Sequence, residues 1–251
     1  MRLFSADDKE GYAMEKIINA ENLHYFAYTN ERLLKGKPKG VILDFFGLGG
    51  QAMYHEDTKT GKLYAEQGAL LVVPYTNPWG WMNSDEVRLT DEILDVLFEK
   101  YSLDDSTPIV SSGGSMGGLA CIVYTKYAKR TPVGCVANCP VCDLVYHFTE
   151  RVDLPRTIYS AFYSYEGSFE DALKSASPFH LIDTLPQKTS YVVFHCDKDS
   201  AVNITKHSEK FVKELSKSRD VKFFVVNDRD HCDLGEEMTR KYHEEVLSFI
   251  S

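Results

Sequence analysis

The sequence predicts an α/β fold, a mostly parallel central sheet flanked by helices, with a small helical excursion inserted late in the chain. Three observations predict it. Short β-branched and aromatic runs alternate with longer stretches of helical periodicity, the pattern of βαβ units. A glycine-rich turn at 112–118 lies between an apolar run and an apolar helical stretch. The alternation breaks down between about residues 142 and 188 and then resumes.

In chain order, residues 23–28 read as an edge strand. Residues 41–46 (VILDFF) and 69–73 (ALLVV, ended by Pro74) read as buried strands. Residues 84–101 carry apolar positions at Val87, Ile93, Leu94, Leu97 and Phe98, a helical spacing, with Ser84 as the expected N-cap. A short strand is expected at 108–111, a helix at 116–129 and a strand at 133–137. After the irregular region come a strand at 191–196, a helix at 203–217, a strand at 221–226 and a last helix at 236–250. The stretch 142–188 is too short for an independent core of any size, so one domain over 1–251 with a lid-like insertion is expected.

A chain of 251 residues buries enough surface to fold without disulfides or metals. Its net charge is −9, with no run of Lys or Arg, which argues against a nucleic-acid partner. The N-terminus shows no apolar signal-peptide core, and no apolar run is long enough for a membrane span. A cytoplasmic protein with mostly reduced cysteines and no membrane partner is expected, its oligomeric state open.

The strongest local signal is Gly113-Gly-Ser-Met-Gly117, a Gly-x-Ser-x-Gly motif centred on Ser115. A serine on a sharp strand-to-helix turn projects above the sheet toward a base and a substrate carbonyl, and its neighbours must be small. Such a serine needs a histidine to take its proton and a carboxylate to orient that histidine, in the chain order Ser, Asp or Glu, His. His231 follows the last strand and is the expected base. His147, His180, His195, His207 and His243 are read as core or surface histidines. For the acid, Asp199 is favoured over Asp197, which is placed to cap the turn after its strand, and Asp230 is read as a loop cap or solvent-facing group. The oxyanion donors are assigned to the N–H groups of Met116 and Leu48, with Gly47 as the alternative to Leu48. No phosphate-binding Gly-Lys-Ser/Thr follows the motif. Cys139-Pro-Val-Cys142 has no second pair for zinc and no thioredoxin-like setting, so neither a metal nor another cofactor is expected.

These residues resemble the α/β-hydrolase superfamily, and most of all the catalytic domains of the prolyl oligopeptidase (S9) family and the related bacterial carboxylesterases, over about residues 20–250. Phe46-Gly-Leu-Gly-Gly50 occupies the place of the family's His-Gly-Gly loop, Ser177-Pro178 resembles the segment before the acid strand, and His195-Cys-Asp-Lys-Asp199-Ser-Ala-Val202 resembles His-Gly-x-x-Asp-x-x-Val. Phe46 and Cys196 depart from that pattern without removing a catalytic atom. Peptidases of the family carry a further β-propeller domain, which about 20 preceding residues here do not supply. The resemblance implies a serine hydrolase acting through an acyl-enzyme on a small or medium ester. A small peptidase or amidase, and a non-catalytic binding homologue, are the alternatives. The substrate pocket is expected to use Gly47, Trp79 and Trp81, with Tyr159 and Phe162 from the aromatic-rich insertion.

Overall fold

Residues 17–50 and 53–250 are described by the computed structural model. Seven strands form one sheet: β1 (Ala27–Thr29), β2 (Gly40–Phe45), β3 (Ala69–Pro74), β4 (Ile109–Gly114), β5 (Gly134–Asn138), β6 (Ser190–Cys196) and β7 (Val221–Val226). Their order is β1-β3-β2-β4-β5-β6-β7. The pair β1–β3 is antiparallel, and every other pair is parallel. The long helices are α1 (Lys59–Glu66), α2 (Ser84–Lys100), α3 (Met116–Tyr127), α8 (Ser208–Leu215) and α9 (Gly235–Leu247). Between β5 and β6 lie α4 (Leu144–His147), α5 (Leu154–Phe162), α6 (Phe169–Ser175) and α7 (Pro178–Leu181).

Strands β2 and β3 read as nearly unbroken apolar runs because both faces of the sheet are covered there, whereas β7 at the edge is largely half-buried or exposed. On β2, Val41, Leu43 and Phe45 join one core and Ile42 the other, and on β3 Leu70 and Val72 separate from Leu71 and Val73 in the same way. The central strand β4 leads into α3, which is buried from Met116 to Thr125. A strand and helix packed this fully hold the turn between them in one position. Among the described residues no helix is long and apolar enough to cross a membrane.

Three sequence readings are corrected. Residues 23–28 are not one strand: Leu23–Tyr25 form a 3₁₀ turn and only Ala27–Thr29 pairs, antiparallel. The cap of α2 is Asn83 rather than Ser84, because the Asn83 side-chain oxygen Oδ1 accepts from the N–H groups of Asp85 and Glu86. The helix expected from 203 begins at Ser208, since residues 203–207 form turns. The buried His207 ring accepts through Nδ1 from the N–H groups of Cys142 and Asp143, which fixes it outside a helical run.

Candidate active site

Ser115 stands between β4 and α3 at φ 60° and ψ −121°, a conformation that costs a non-glycine residue of order 1–3 kcal/mol. The surrounding backbone holds it there. Ser115 N–H donates to Asn138 O at 2.9 Å, and Ser115 O accepts from Leu119 N–H at 3.1 Å. Close approach explains the glycine two residues on: a Cβ on Gly117 would lie 2.0 Å from the Phe45 carbonyl oxygen.

The hydroxyl of Ser115 is 2.8 Å from His231 Nε2, and His231 Nδ1 is 2.7 Å from Asp199 Oδ2. Three residues from three strand ends thus form one hydrogen-bonded chain. Asp199 Oδ1 accepts from the N–H groups of Ala201 and Val202 at 2.9 and 2.8 Å. Burial opposes its charge, but the hydrogen bonds from His195, His231 and Val202 N–H hold its pKa far below the usual carboxylate range. Burial likewise pulls the His231 pKa down, yet the Asp199 carboxylate and the Cys139 sulfur outweigh it and carry it up to about 9. Both shifts describe a charged pair that favours itself.

The rival carboxylates are engaged elsewhere. Asp197 Oδ1 accepts from Asp228 N–H at 2.7 Å, capping the turn after β7. Asp230 Oδ1 accepts from His231 N–H at 2.7 Å and from Ser200 N–H at 2.9 Å, so it ties the loop of His231 to the loop of Asp199.

Around Ser115 opens a cavity of about 480 Å³ lined by Gly47, Leu48, Trp81, His147, Arg151, Val202, His231 and Cys232, with Gly114 beside the serine. The glycine loop that carries Leu48 is anchored by a bond from Gly49 N–H to Pro78 O at 2.9 Å. Met116 is the first residue of α3, where an N–H has no partner within its own helix. Neither Leu48 N–H nor Met116 N–H donates to a described residue. Both are therefore available to an oxygen bound at Ser115.

Trp81 is fully buried and lines this cavity, whereas Trp79 is exposed and carries the Arg156 guanidinium over its ring. Tyr159 and Phe162 are outside the lining. Tyr159 is exposed and packs on Phe169. Phe162 borders a separate cavity of about 590 Å³ with Met82, Val87, Tyr127 and Tyr165. Their side chains fall away from the pocket because α5 turns toward α2 and α6. Trp81 Nε1 donates to Thr157 Oγ1 at 3.2 Å and Asn83 Nδ2 donates to Ala161 O at 3.1 Å, which stitches the tryptophan loop to α5.

Sequence reasoning passed over three neighbours of the site. His195 Nε2 is 3.0 Å from Val202 O and 3.3 Å from Asp199 Oδ2. A carbonyl only accepts, so that nitrogen carries a proton and His195 is a further donor to the acid. Its position at the end of the acid-bearing strand was the available signal. His147 and Arg151 reach the cavity from α4 and the turn after it, which only tertiary structure reveals. His147 Nδ1 and His207 Nε2 both bond Glu150 Oε2, at 2.6 and 2.9 Å, which fixes the His147 ring against Trp81.

The fold has parallels among solved structures. A thermophilic esterase from Thermogutta terrifontis, in its butyrate-bound structure, superposes with a TM-score of 0.65 at 16% identity, covering 89% of this chain and 87% of that one. A puromycin-hydrolysing peptidase of Mycobacterium tuberculosis gives 0.68 at 16% identity, over 86% of this chain but 34% of its own. A study of two prolyl endopeptidases supplies another, at 0.64 and 15% identity, over 86% and 35%. The chain thus spans nearly the whole esterase but about a third of each peptidase. At these identities the likeness is one of fold. No curated protein sequence matches the chain. Residues 80–251, running from the tryptophan loop through Ser115, Asp199 and His231, match the sequence model of the prolyl oligopeptidase family. With that match over more than half its length, an α/β-hydrolase sheet and a serine at the turn after β4, the chain belongs to the prolyl oligopeptidase family of serine hydrolases.

Proposed function

We propose that the protein is a carboxylesterase that works through an acyl-enzyme on Ser115. The observation that carries the proposal is the continuous chain from Ser115 through His231 to Asp199, opening on a cavity at the C-terminal ends of the strands. In this reading His231, in its neutral form, takes the Ser115 proton on Nε2 as Oγ attacks the carbonyl carbon. Asp199 holds the imidazole and balances its charge, and the N–H groups of Leu48 and Met116 receive the oxyanion. His231 then gives the proton to the departing alkoxide, and a water repeats the sequence to free the acid.

Ester cleavage is favoured over amide cleavage by the walls of the cavity. Leu48, Trp81 and Val202 give them apolar area beside the cationic Arg151, and none of the described lining residues is a carboxylate that would anchor a substrate amine. The esterase parallel, in a structure with bound butyrate, points the same way. The peptidase reading keeps support from the family itself, whose peptidases share the sheet.

A panel of p-nitrophenyl esters of rising acyl length, run beside aminoacyl-nitroanilides, tests the proposal. The expected outcome is hydrolysis of esters and little of anilides, with kcat/KM rising about fourfold per methylene until the cavity is filled, from ~0.8 kcal/mol for each buried methylene. Trp81→Ala should flatten that rise by removing the largest apolar wall. Faster cleavage of the anilides would replace the esterase reading with the peptidase one.

A further inference from the structure

The sulfurs of Cys139 and Cys232 and a ring nitrogen of His231 all lie within 4.8 Å of one another. Neither cysteine has a part in the proposed hydrolysis. Cys232 Sγ is 3.7 Å from His231 Nε2, the nitrogen that faces Ser115. A tetrahedral zinc ion with Zn–S of about 2.3 Å and Zn–N of about 2.0 Å sets its sulfur and nitrogen ligands about 3.5 Å apart. The spacing in the apo chain is close to that edge.

Three further features suit a metal. Cys139 Sγ accepts from the N–H groups of Cys196 and Cys232, both at 3.4 Å, which fixes the sulfur in place beside His231. Both cysteines hold left-handed backbone, φ 45° at Cys139 and 59° at Cys232, so the two thiols converge through conformations that non-glycine residues seldom adopt. His231 already turns Nδ1 to a buried carboxylate, Asp199, the outer partner that metal-bound histidines usually have. Cys232 lines the cavity and Cys139 is fully buried beneath it, so an ion would enter from the substrate side.

We propose that Cys139, Cys232 and His231 Nε2 form an inhibitory site for a thiophilic divalent cation such as Zn²⁺. On binding, both thiols and the His231 imidazolium release their protons to solvent, and two thiolates with a neutral imidazole meet the charge of the cation. Nothing is oxidised or reduced. An ion on Nε2 occupies the lone pair that would receive the Ser115 proton, so hydrolysis stops until a chelator removes it. That consequence rests on the proposed function, whereas binding of the ion does not.

Cobalt(II) added to the apo protein tests the binding without an activity assay. One equivalent should produce a thiolate-to-cobalt charge-transfer band that zinc displaces. The band should disappear in Cys139→Ser and in Cys232→Ser and persist in Ser115→Ala. In the unaltered protein, zinc should shield Cys232 from iodoacetamide, read by peptide mass mapping, and EDTA should restore alkylation. Absence of the band, its survival in the double cysteine variant, or equal alkylation of Cys232 with and without zinc would overturn the proposal. Zinc should also abolish fluorophosphonate labelling of Ser115 in a chelator-reversible manner. A protein that binds cobalt as described yet cleaves no ester or anilide would refute the hydrolase reading and leave the metal site standing.

Discussion

At the scale of the residue, Asp199 and Asp197 present a sharp contrast. They are two positions apart, yet one accepts from His231, His195 and two backbone N–H groups while the other caps a turn. Asp199→Asn should therefore lower turnover by on the order of 10⁴-fold, because an amide no longer fixes the imidazole tautomer. Asp197→Asn should leave turnover within a few-fold of the parent. Steady-state kinetics on one good ester substrate checks both. Ser115→Ala should abolish fluorophosphonate labelling altogether. Ser115, His231 and Asp199 were legible in the sequence because each sits just beyond an apolar strand, in an order that follows from the chain's path. His195 was not: its place at the end of the acid-bearing strand was a signal, but a histidine in an apolar strand reads equally as a core residue. Tyr159 and Phe162 misled for a related reason: aromatic content marks a segment as packed, not which cavity it packs against.

At the scale of the element, the loop from Asn77 to Asn83 depends on one buried acid. Glu86, in the first turn of α2, accepts from Met82 N–H at 2.8 Å, beneath two successive left-handed residues, Trp81 at φ 50° and Met82 at φ 55°. Its carboxylate also fills the space above Gly80, where a Cβ would lie 1.7 Å from Glu86 Oε1. Burial raises the Glu86 pKa to about 7, against the pull of the Met82 and Asn77 N–H groups. An acid whose folded pKa is raised stabilises the fold fully below its unfolded pKa, near 4.5, and that contribution is lost as pH rises through about 7. The melting temperature should thus carry a downward component between those values that Glu86→Gln removes, measured by calorimetry across pH. A melting curve of unchanged pH dependence in the variant would show that the acid is not the source. The α2 helix itself was plain from its apolar spacing. Its cap was displaced by one residue because Asn83 and Ser84 are both good caps, and only the register of the loop chooses between them.

At the scale of the whole molecule, the six cysteines are all free, and five of them are buried. A thiol reagent should find one fast-reacting group in the native protein, on Cys232, and six once the chain is unfolded. Two or more fast thiols would mean that the core around β4, β5 and β6 opens readily. The parallel sheet was legible because inner strands such as β2 and β3, covered on both faces, appear as nearly unbroken apolar runs that alternate with helical stretches. The antiparallel edge at Ala27–Thr29 was not, since three residues are too few to establish a period. The irregular stretch between β5 and β6 was recognisable as an insertion over the pocket, but the residues expected from it, Tyr159 and Phe162, are not the ones that line the cavity, for its contribution, His147 and Arg151, comes from its first short helix and the turn after it.

That insertion leaves the sheet at Asn138 and rejoins it at Ser190, and none of Ser115, Asp199 and His231 lies within it. Part of the cavity wall, His147 and Arg151, is therefore encoded apart from the chain of Ser115, His231 and Asp199. Residues 139–189 could be exchanged for the matching stretch of a relative to alter that part of the wall while the three hydrogen-bonded residues keep their own strand ends.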